Sequence, residues 1–269
     1  MTEGQVRVPA GVDMHKPHAA RVYDYALGGK DNYAVDRALI DRLTRLIPAT
    51  PVAAQENRAF LRRTVRFIAE AGIRQFVDIG SGLPTQGNVH EVAHAIAPDA
   101  RVVYVDYDPI VIAHSRALLS GVDNATAIQA DARQPDSILG HPKVKKLIDF
   151  DQPVGILLVG LLHLVDDSDD PGAIAARFRA AMASGSYLSL CHITGDFQPP
   201  QAVEQWLAVF GGMAEPMVLR THEQIGRYFG DLELVEPGLV KASEWRPDGP
   251  PTSQTPATGW LLGGVARKP

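Results

Sequence analysis

QFVDIGSGLPTQGNVHEVAH, residues 75–94, decides the fold. Gln75–Ile79 reads as a short apolar strand. Gly80 and Gly82 then allow a tight turn and a close approach of backbone to a ligand. Pro84 suits a helix entry, where no backbone donor is needed. Val89, Val92, Ala93 and Ile96 recur at helical spacing and form one apolar face. A strand, a glycine turn and a helix mark the place where an open parallel sheet binds ligands. The same stretch carries a second signature. His90-Glu91-Val92-Ala93-His94 fits the H-E-x-x-H pattern of zinc peptidases. A catalytic zinc needs a third protein ligand. The extended pattern asks for glycine and histidine where Ala97 and Ala100 stand, and the next segment is a strand that supplies no glutamate. The two histidines therefore read as flank residues of a helix, and no metal site is expected.

Outward from this stretch, strands and helices alternate. RVVYV (101–105), TAIQA (126–130), PVGILLV (153–159) and SYLSLCH (186–192) read as strands, with helices about Pro109 to Leu119 and Ala173 to Met182. PVGILLV is continuously apolar, as a strand buried on both faces is. Residues 201–210 read as a helix, Thr221-x-x-Gln224 as a capping box, and Leu232–Val235 and Trp260–Ala266 as the last strands. The pattern predicts a doubly wound α/β fold with a mostly parallel, seven-stranded sheet. Ahead of it, three helical stretches run from about Pro17 to Leu27, Val35 to Leu46 and Val52 to Ala71, the first closed by Gly28-Gly29. The expected organisation is a disordered tail over 1–16, a helical extension over 17–72 and the α/β core over 73–269, together one domain. Residues 247–259 read as a surface loop.

The chain has 269 residues, 45% hydrophobic and 21% charged, enough for a sizeable core. A net charge of -5 argues against a nucleic-acid partner. Cys191 is the one cysteine, so no internal disulfide forms, which fits a reducing compartment. The first residues lack the apolar run of a signal peptide, and the longest apolar run, about Gly155 to Val165, is too short to span a bilayer. The expected location is cytoplasmic, with no membrane partner.

Two more acidic strand ends stand beside the glycine turn. RVVYV runs into Asp106-Tyr107-Asp108, and TAIQA into Asp131-Ala132. A carboxylate at the end of the second strand accepts from both hydroxyls of a ribose, and one at the third accepts from the amino group of an adenine. Asp108 precedes Pro109 and reads instead as a helix N-cap.

Three acidic strand ends around GSG resemble the class I S-adenosylmethionine-dependent methyltransferases. RVYDYALGGKDNYAVDR (21–37), ENRAFLRRTVRFIAEAGIRQFVDIGSGLPT (56–85), VVYVDYDPIVIAHSRALL (102–119) and LLHLVDD (161–167) narrow this. They closely resemble an actinobacterial S-adenosylmethionine methyltransferase family long catalogued as a domain of unknown function. The resemblance runs from about residue 17 to the end. It implies the fold, with the last strand antiparallel, and the cofactor S-adenosyl-L-methionine, but no substrate. By position it implies that Asp78, Gly80, Ser81 and Gly82 hold the methionine part, that Asp106 binds the ribose with Tyr107 against the adenine, and that Asp131 and Ala132 bind the adenine edge. It also favours GGKDNY (28–33) as a lid offering Tyr25, Lys30, Asn32 and Tyr33 to the methionine carboxylate or the substrate; the spacing excludes a P-loop.

His163 follows the fourth strand and His192 ends the fifth, so both are candidates for a general base. Cys191 lacks a preceding proline, unlike the nucleophile of cytosine-C5 methyltransferases, and reads as core. No N/D-P-P-Y/F follows the fourth strand. With the acidic net charge, this points to a small-molecule acceptor. A non-catalytic cofactor-binding protein is one alternative. An NAD(P)-dependent oxidoreductase is another, and Thr85 at the third glycine of the dinucleotide fingerprint counts against it.

Overall fold

The computed structural model describes residues 13–84, 87–210, 217–249 and 258–269. Most of the tail 1–16 and of the loop 247–259 therefore lies outside the described residues. Three helices come first: α1 (Ala19–Ala26), α2 (Ala34–Leu46) and α3 (Thr50–Glu70). The alternating part follows as β1 (Gln75–Ile79), α4 (Val89–His94), β2 (Arg101–Asp106), α5 (Pro109–Leu118), β3 (Ala125–Gln129), α6 (Pro135–Leu139) and α7 (Pro142–Leu147). It continues as β4 (Gly155–Val159), α8 (Pro171–Ala181), β5 (Tyr187–Ile193), α9 (Pro200–Phe210) and α10 (His222–Gly226). β6 (Glu233–Leu234), β7 (Val240–Lys241) and β8 (Leu261–Arg267) complete the sheet.

The strand order is β3-β2-β1-β4-β5-β8-β6, with β7 pairing β8 off this path. β1 to β5 are parallel, and β8 runs antiparallel between β5 and β6. The expectation of a doubly wound, mostly parallel sheet with an antiparallel last strand holds. The strand count differs: eight strands form among the described residues, because the two-residue β7 was not expected. Two paired residues leave no periodicity to read.

Alternation explains how the sheet is covered. Phe76, Tyr104, Leu157 and Cys191 point to the face packed by α3 and α4, while Val77, Val103, Ile156 and Leu190 point to the face packed by α6 to α8. β4 is buried at every residue, as its continuous apolar run requires. Gly263 in β8 lets α3 lie close, since a Cβ there would stand 2.6 Å from Phe60. The helical extension is thus packed into the sheet. Arg63 of α3 donates to the carbonyls of Trp245 at 2.9 Å and Ala242 at 2.6 Å.

One expected boundary moves. Pro84 does not open α4. Asn88 is its N-cap, and the side chains of Asn88 and Glu91 form a capping box, so the helix begins at Val89. Proline fits a helix start, but it equally fits a loop that needs no donor. The other capping box, Thr221 with Gln224, forms as read.

Candidate active site

The glycine turn is pinned across the end of β2. The amides of Gly80 and Ser81 both donate to the Val105 carbonyl, at 2.8 and 3.1 Å. Gly80 and Gly82 sit at φ 72° and 65°, where L-residues are strained. A Cβ on Gly80 would also lie 2.6 Å from the Leu161 side chain. Asp106 closes the turn from β2. Its carboxylate accepts from the amides of Gly82 at 2.9 Å and Asp108 at 3.0 Å. Burial raises its pKa, against the pull of those two amides. Asp108 is the N-cap of α5, accepting from the Ile110 amide at 2.7 Å. Burial alone would raise Asp108, but His18 at 3.0 Å and the Ile110 amide outweigh it and hold it below the usual carboxylate range.

Beneath the turn, Asp78 is buried beside Arg58 of α3. Desolvation pushes the Asp78 carboxyl up to about 7, opposed by the Arg58 charge and assisted by Asp106. Arg58 is itself buried and donates through Nη2 to the Asn88 side chain at 3.0 Å. Its Nε and the Ser81 hydroxyl are buried without a hydrogen-bond partner. Arg58, Asp78, Ser81 and Asn88 line one cavity of about 10 Å³.

The extension folds over this end of the sheet. Tyr33 and Ala20 pack on a small apolar cluster of Leu83, Ile110 and Val111, that is, on the glycine turn and the start of α5. The Tyr33 ring also lies under the Arg21 guanidinium, and Arg21 pairs with buried Asp36 at 2.9 Å. His18 lies 5.2 Å from the Tyr107 ring, centre to centre. Buried Asp24, missed in the sequence, organises the GGKDNY loop by accepting from the Asp31 amide and the Asn32 side chain, each at 2.9 Å. A Cβ on Gly29 would collide with Asp24, which explains that glycine. Asn32 is therefore tied to its own loop, Tyr25 reaches Asp41 at 3.4 Å, and Lys30 is exposed.

At the end of β3, Asp131 is paired with Arg133, whose side chain reaches both carboxylate oxygens at 2.7 to 3.0 Å. Arg133 also holds Asp131 below its usual pKa. Ala132 packs against the core. Asp106 and Tyr107 stand together at the mouth, with Tyr107 44% exposed. Asp131 joins them at the neighbouring strand end as an already paired acid rather than an open one.

The two candidate bases lie deeper than the sequence suggested. The His163 and His192 rings meet edge to face at 5.4 Å, and both are buried. His192 Nδ1 faces the Ile193 carbonyl at 2.7 Å, and its Nε2 receives Arg220 at 3.0 Å. With an arginine donating to Nε2, the proton sits on Nδ1 and the ring is neutral. Burial, with His163 and Arg220 nearby, drives its pKa well down. His163 is lowered to about 3 by burial and Arg220, and its Nδ1 has no partner. Arg220, also missed, is 4% exposed and donates to the carbonyls of Leu162 and Val165 and to Asp167. Its sequence neighbourhood, just before a capping box, reads as surface.

His90 and His94 are both engaged in packing. His90 Nδ1 lies 2.7 Å from the Tyr104 hydroxyl, and His94 Nε2 lies 2.8 Å from the Ala100 carbonyl. Among the described residues no group of three or more His, Cys, Asp or Glu is placed to hold a metal ion. Cys191 is buried in the core as read, and burial raises its thiol.

Two buried strand-end acids, a glycine turn in the left-handed region and buried donors without partners suit a ligand carrying ribose hydroxyls and charged amino-acid groups. The comparisons agree. A family model described as S-adenosyl methyltransferase matches residues 5–269. A candidate methyltransferase from Thermobifida fusca is 46% identical, with a TM-score of 0.90 over 97% of this chain and 98% of that one. A DUF574 family protein from Streptomyces avermitilis is 41% identical, with a TM-score of 0.91 over 96% of this chain and 99% of that one. The mitomycin 7-O-methyltransferase is similar in fold alone, at 19% identity and a TM-score of 0.51 over 78% of this chain and 54% of that one. No curated protein matches the sequence.

Proposed function

Because the chain belongs to the S-adenosyl methyltransferase family, and is an S-adenosylmethionine-dependent methyltransferase, we propose that its acceptor is a small molecule and that the carboxyl ends of β1 and β2 hold the cofactor. The observation that carries the site assignment is the buried pair Asp78 and Asp106 flanking the glycine turn. Asp106 would accept from the ribose hydroxyls, and Tyr107 would lie against the adenine. Asp131 and Ala132 would border its edge. Asp78, Gly80, Ser81 and Gly82 would hold the methionine end.

When bound, S-adenosylmethionine supplies an electrophilic methyl group on a sulfonium. The chain's own task is to orient the acceptor and exclude water. Residues 17–72 serve as the cover: Tyr33 on the turn, His18 over Tyr107, and the GGKDNY loop held by Asp24. Tyr25, Lys30, Asn32 and Tyr33 would meet the substrate or the methionine carboxylate once that cover moves. Of the two candidate bases His163 keeps a partnerless Nδ1, but burial and Arg220 lower it to about 3 and make it a weak proton acceptor, so orientation and water exclusion carry the proposed catalysis. We assign no proton transfer to His192, whose two nitrogens are engaged. The net charge of -5 supports a small acceptor over nucleic acid. No helix among the described residues is long and apolar enough to cross a membrane. With a single, buried cysteine, this supports a cytoplasmic location.

The test is calorimetry of the purified protein with S-adenosylmethionine, S-adenosylhomocysteine and NAD. The expected result is binding of the first two, none of NAD, and weaker binding by Asp106→Ala. Binding unchanged by Asp106→Ala would move the cofactor elsewhere.

A further inference from the structure

We propose that Arg58, carried by the helical extension, anchors the α-carboxylate of the cofactor's amino-acid end, with the Ser81 hydroxyl as the second donor. The extension is then part of the binding site as well as its cover. This rests on the cofactor assignment above.

Arg58 has no other evident reason to be buried so incompletely bonded. Arg58 is 8% exposed as a residue, its guanidinium carries five N–H donors, and among the described residues it meets one hydrogen-bond partner, the Asn88 side chain at 3.0 Å. Its Nε has none. A buried donor left open is costly unless something fills it. Ser81, on the glycine turn, has the same deficit at its hydroxyl. The two groups come from different elements, α3 and the turn after β1, yet line one cavity with Asp78. That cavity, about 10 Å³, is roughly the space of one water, so it marks where the donors converge and must widen to admit the amino-acid end.

The charges in it are arranged for a zwitterion. Arg58 offers a cation with a planar fork that matches a carboxylate. Asp78 offers an anion for the neighbouring ammonium. The Arg58 charge pulls Asp78 down but does not offset its burial, and the carboxyl stays raised to about 7. The pair is incomplete without a ligand that brings both charges.

The experiment compares two ligands that differ by one group: S-adenosylhomocysteine and its decarboxylated counterpart. Both are titrated calorimetrically into the full chain and into Arg58→Gln, Arg58→Lys and Ser81→Ala. The unaltered protein should prefer the carboxylate-bearing ligand by on the order of 30-fold, as expected of a desolvated charge-assisted contact. Arg58→Gln should bring the ratio to within about threefold, while Arg58→Lys and Ser81→Ala keep part of it. A structural role for Arg58 would weaken both ligands alike and leave the ratio standing, which would overturn the proposal. So would an unaltered protein that binds both ligands equally, a result that needs no variant to fold. Failure of the unaltered protein to bind either ligand would overturn the cofactor assignment and the proposal together.

Discussion

Around β1 and β2 the buried polar groups keep bonding capacity in hand; beside β4 and β5 Arg220 closes a network, with His163 Nδ1 and Ser189 Oγ left outside it. Ser81 Oγ and Arg58 Nε are buried and open beside Asp78. Beside the next two strands, β4 and β5, Arg220 reaches two carbonyls, His192 and Asp167 in one network. Both regions hold titratable side chains with displaced pKa values, and perturbation alone would rank the histidines as highly as the acids. Bonding completeness separates Arg220 and His192 from Arg58 and Ser81. A closed network stabilises the fold, whereas an open one is completed by a ligand.

The sharpest break in this contrast lies at Arg220. Arg220→Met should cost about 3 kcal/mol of stability, because it strips donors from buried carbonyls and from His192. Equilibrium denaturation measures this, and a loss near zero would mean that the network is not structural. Next comes Asp106→Asn, which keeps one acceptor oxygen and most of the turn. It should weaken S-adenosylmethionine by about 2 kcal/mol, as truncation of a buried charged hydrogen bond does, and cost about 1 kcal/mol of stability through the one backbone amide it leaves unpaired. A fall in stability that matched the fall in affinity would erase the distinction between the two regions.

Asp78 sharpens the comparison through pH. Its folded pKa of about 7 lies above the 3.8 of an unperturbed aspartate, so the folded chain holds a proton that the unfolded chain has lost. Its contribution to stability is present at low pH and declines as pH rises from 3.8 to about 7, by up to roughly 1.4 kcal/mol per pH unit. Asp78→Asn should flatten that part of the stability profile. A ligand ammonium favours the ionised form, so affinity for S-adenosylmethionine should rise with pH up to about 7 and then level. The smallest effect is expected at His94→Gln, which exchanges one contact to the Ala100 carbonyl. It should shift stability by less than about 1 kcal/mol and leave cofactor binding unchanged, before and after treatment with a chelator.

The sheet was legible because a buried parallel strand writes its burial into a run of apolar residues. QFVDI, RVVYV and PVGILLV form strands as read, and Asp78 and Asp106 at the ends of the first two are the acids on which the proposed ligand end rests. Asp108 was legible as a cap because proline follows it, and it is one. Arg58 and Arg220 were not. A charged residue in an amphipathic helix or before a cap has the pattern of a solvated face, and only the tertiary partner, Asn88 for one and the Leu162 and Val165 carbonyls for the other, shows that it is buried. The state of Asp131 was hidden for a similar reason, since an arginine two residues on is equally compatible with a free acid. The depth of His163 and His192 depends on how the segment 217–220 closes over them, and strand ends alone do not report it.

The placement of β8 bears on how the protein is made. The neighbour of β5 in space is the last strand in the chain, slotted in antiparallel between β5 and β6, and both β6 and β7 pair with it. Until it emerges from the ribosome, β5 is an open edge and Phe60 of α3 has no Gly263 to cover. A nascent chain halted short of residue 261 therefore carries a nearly complete ligand end on an unfinished sheet, with an edge ready to pair with another copy.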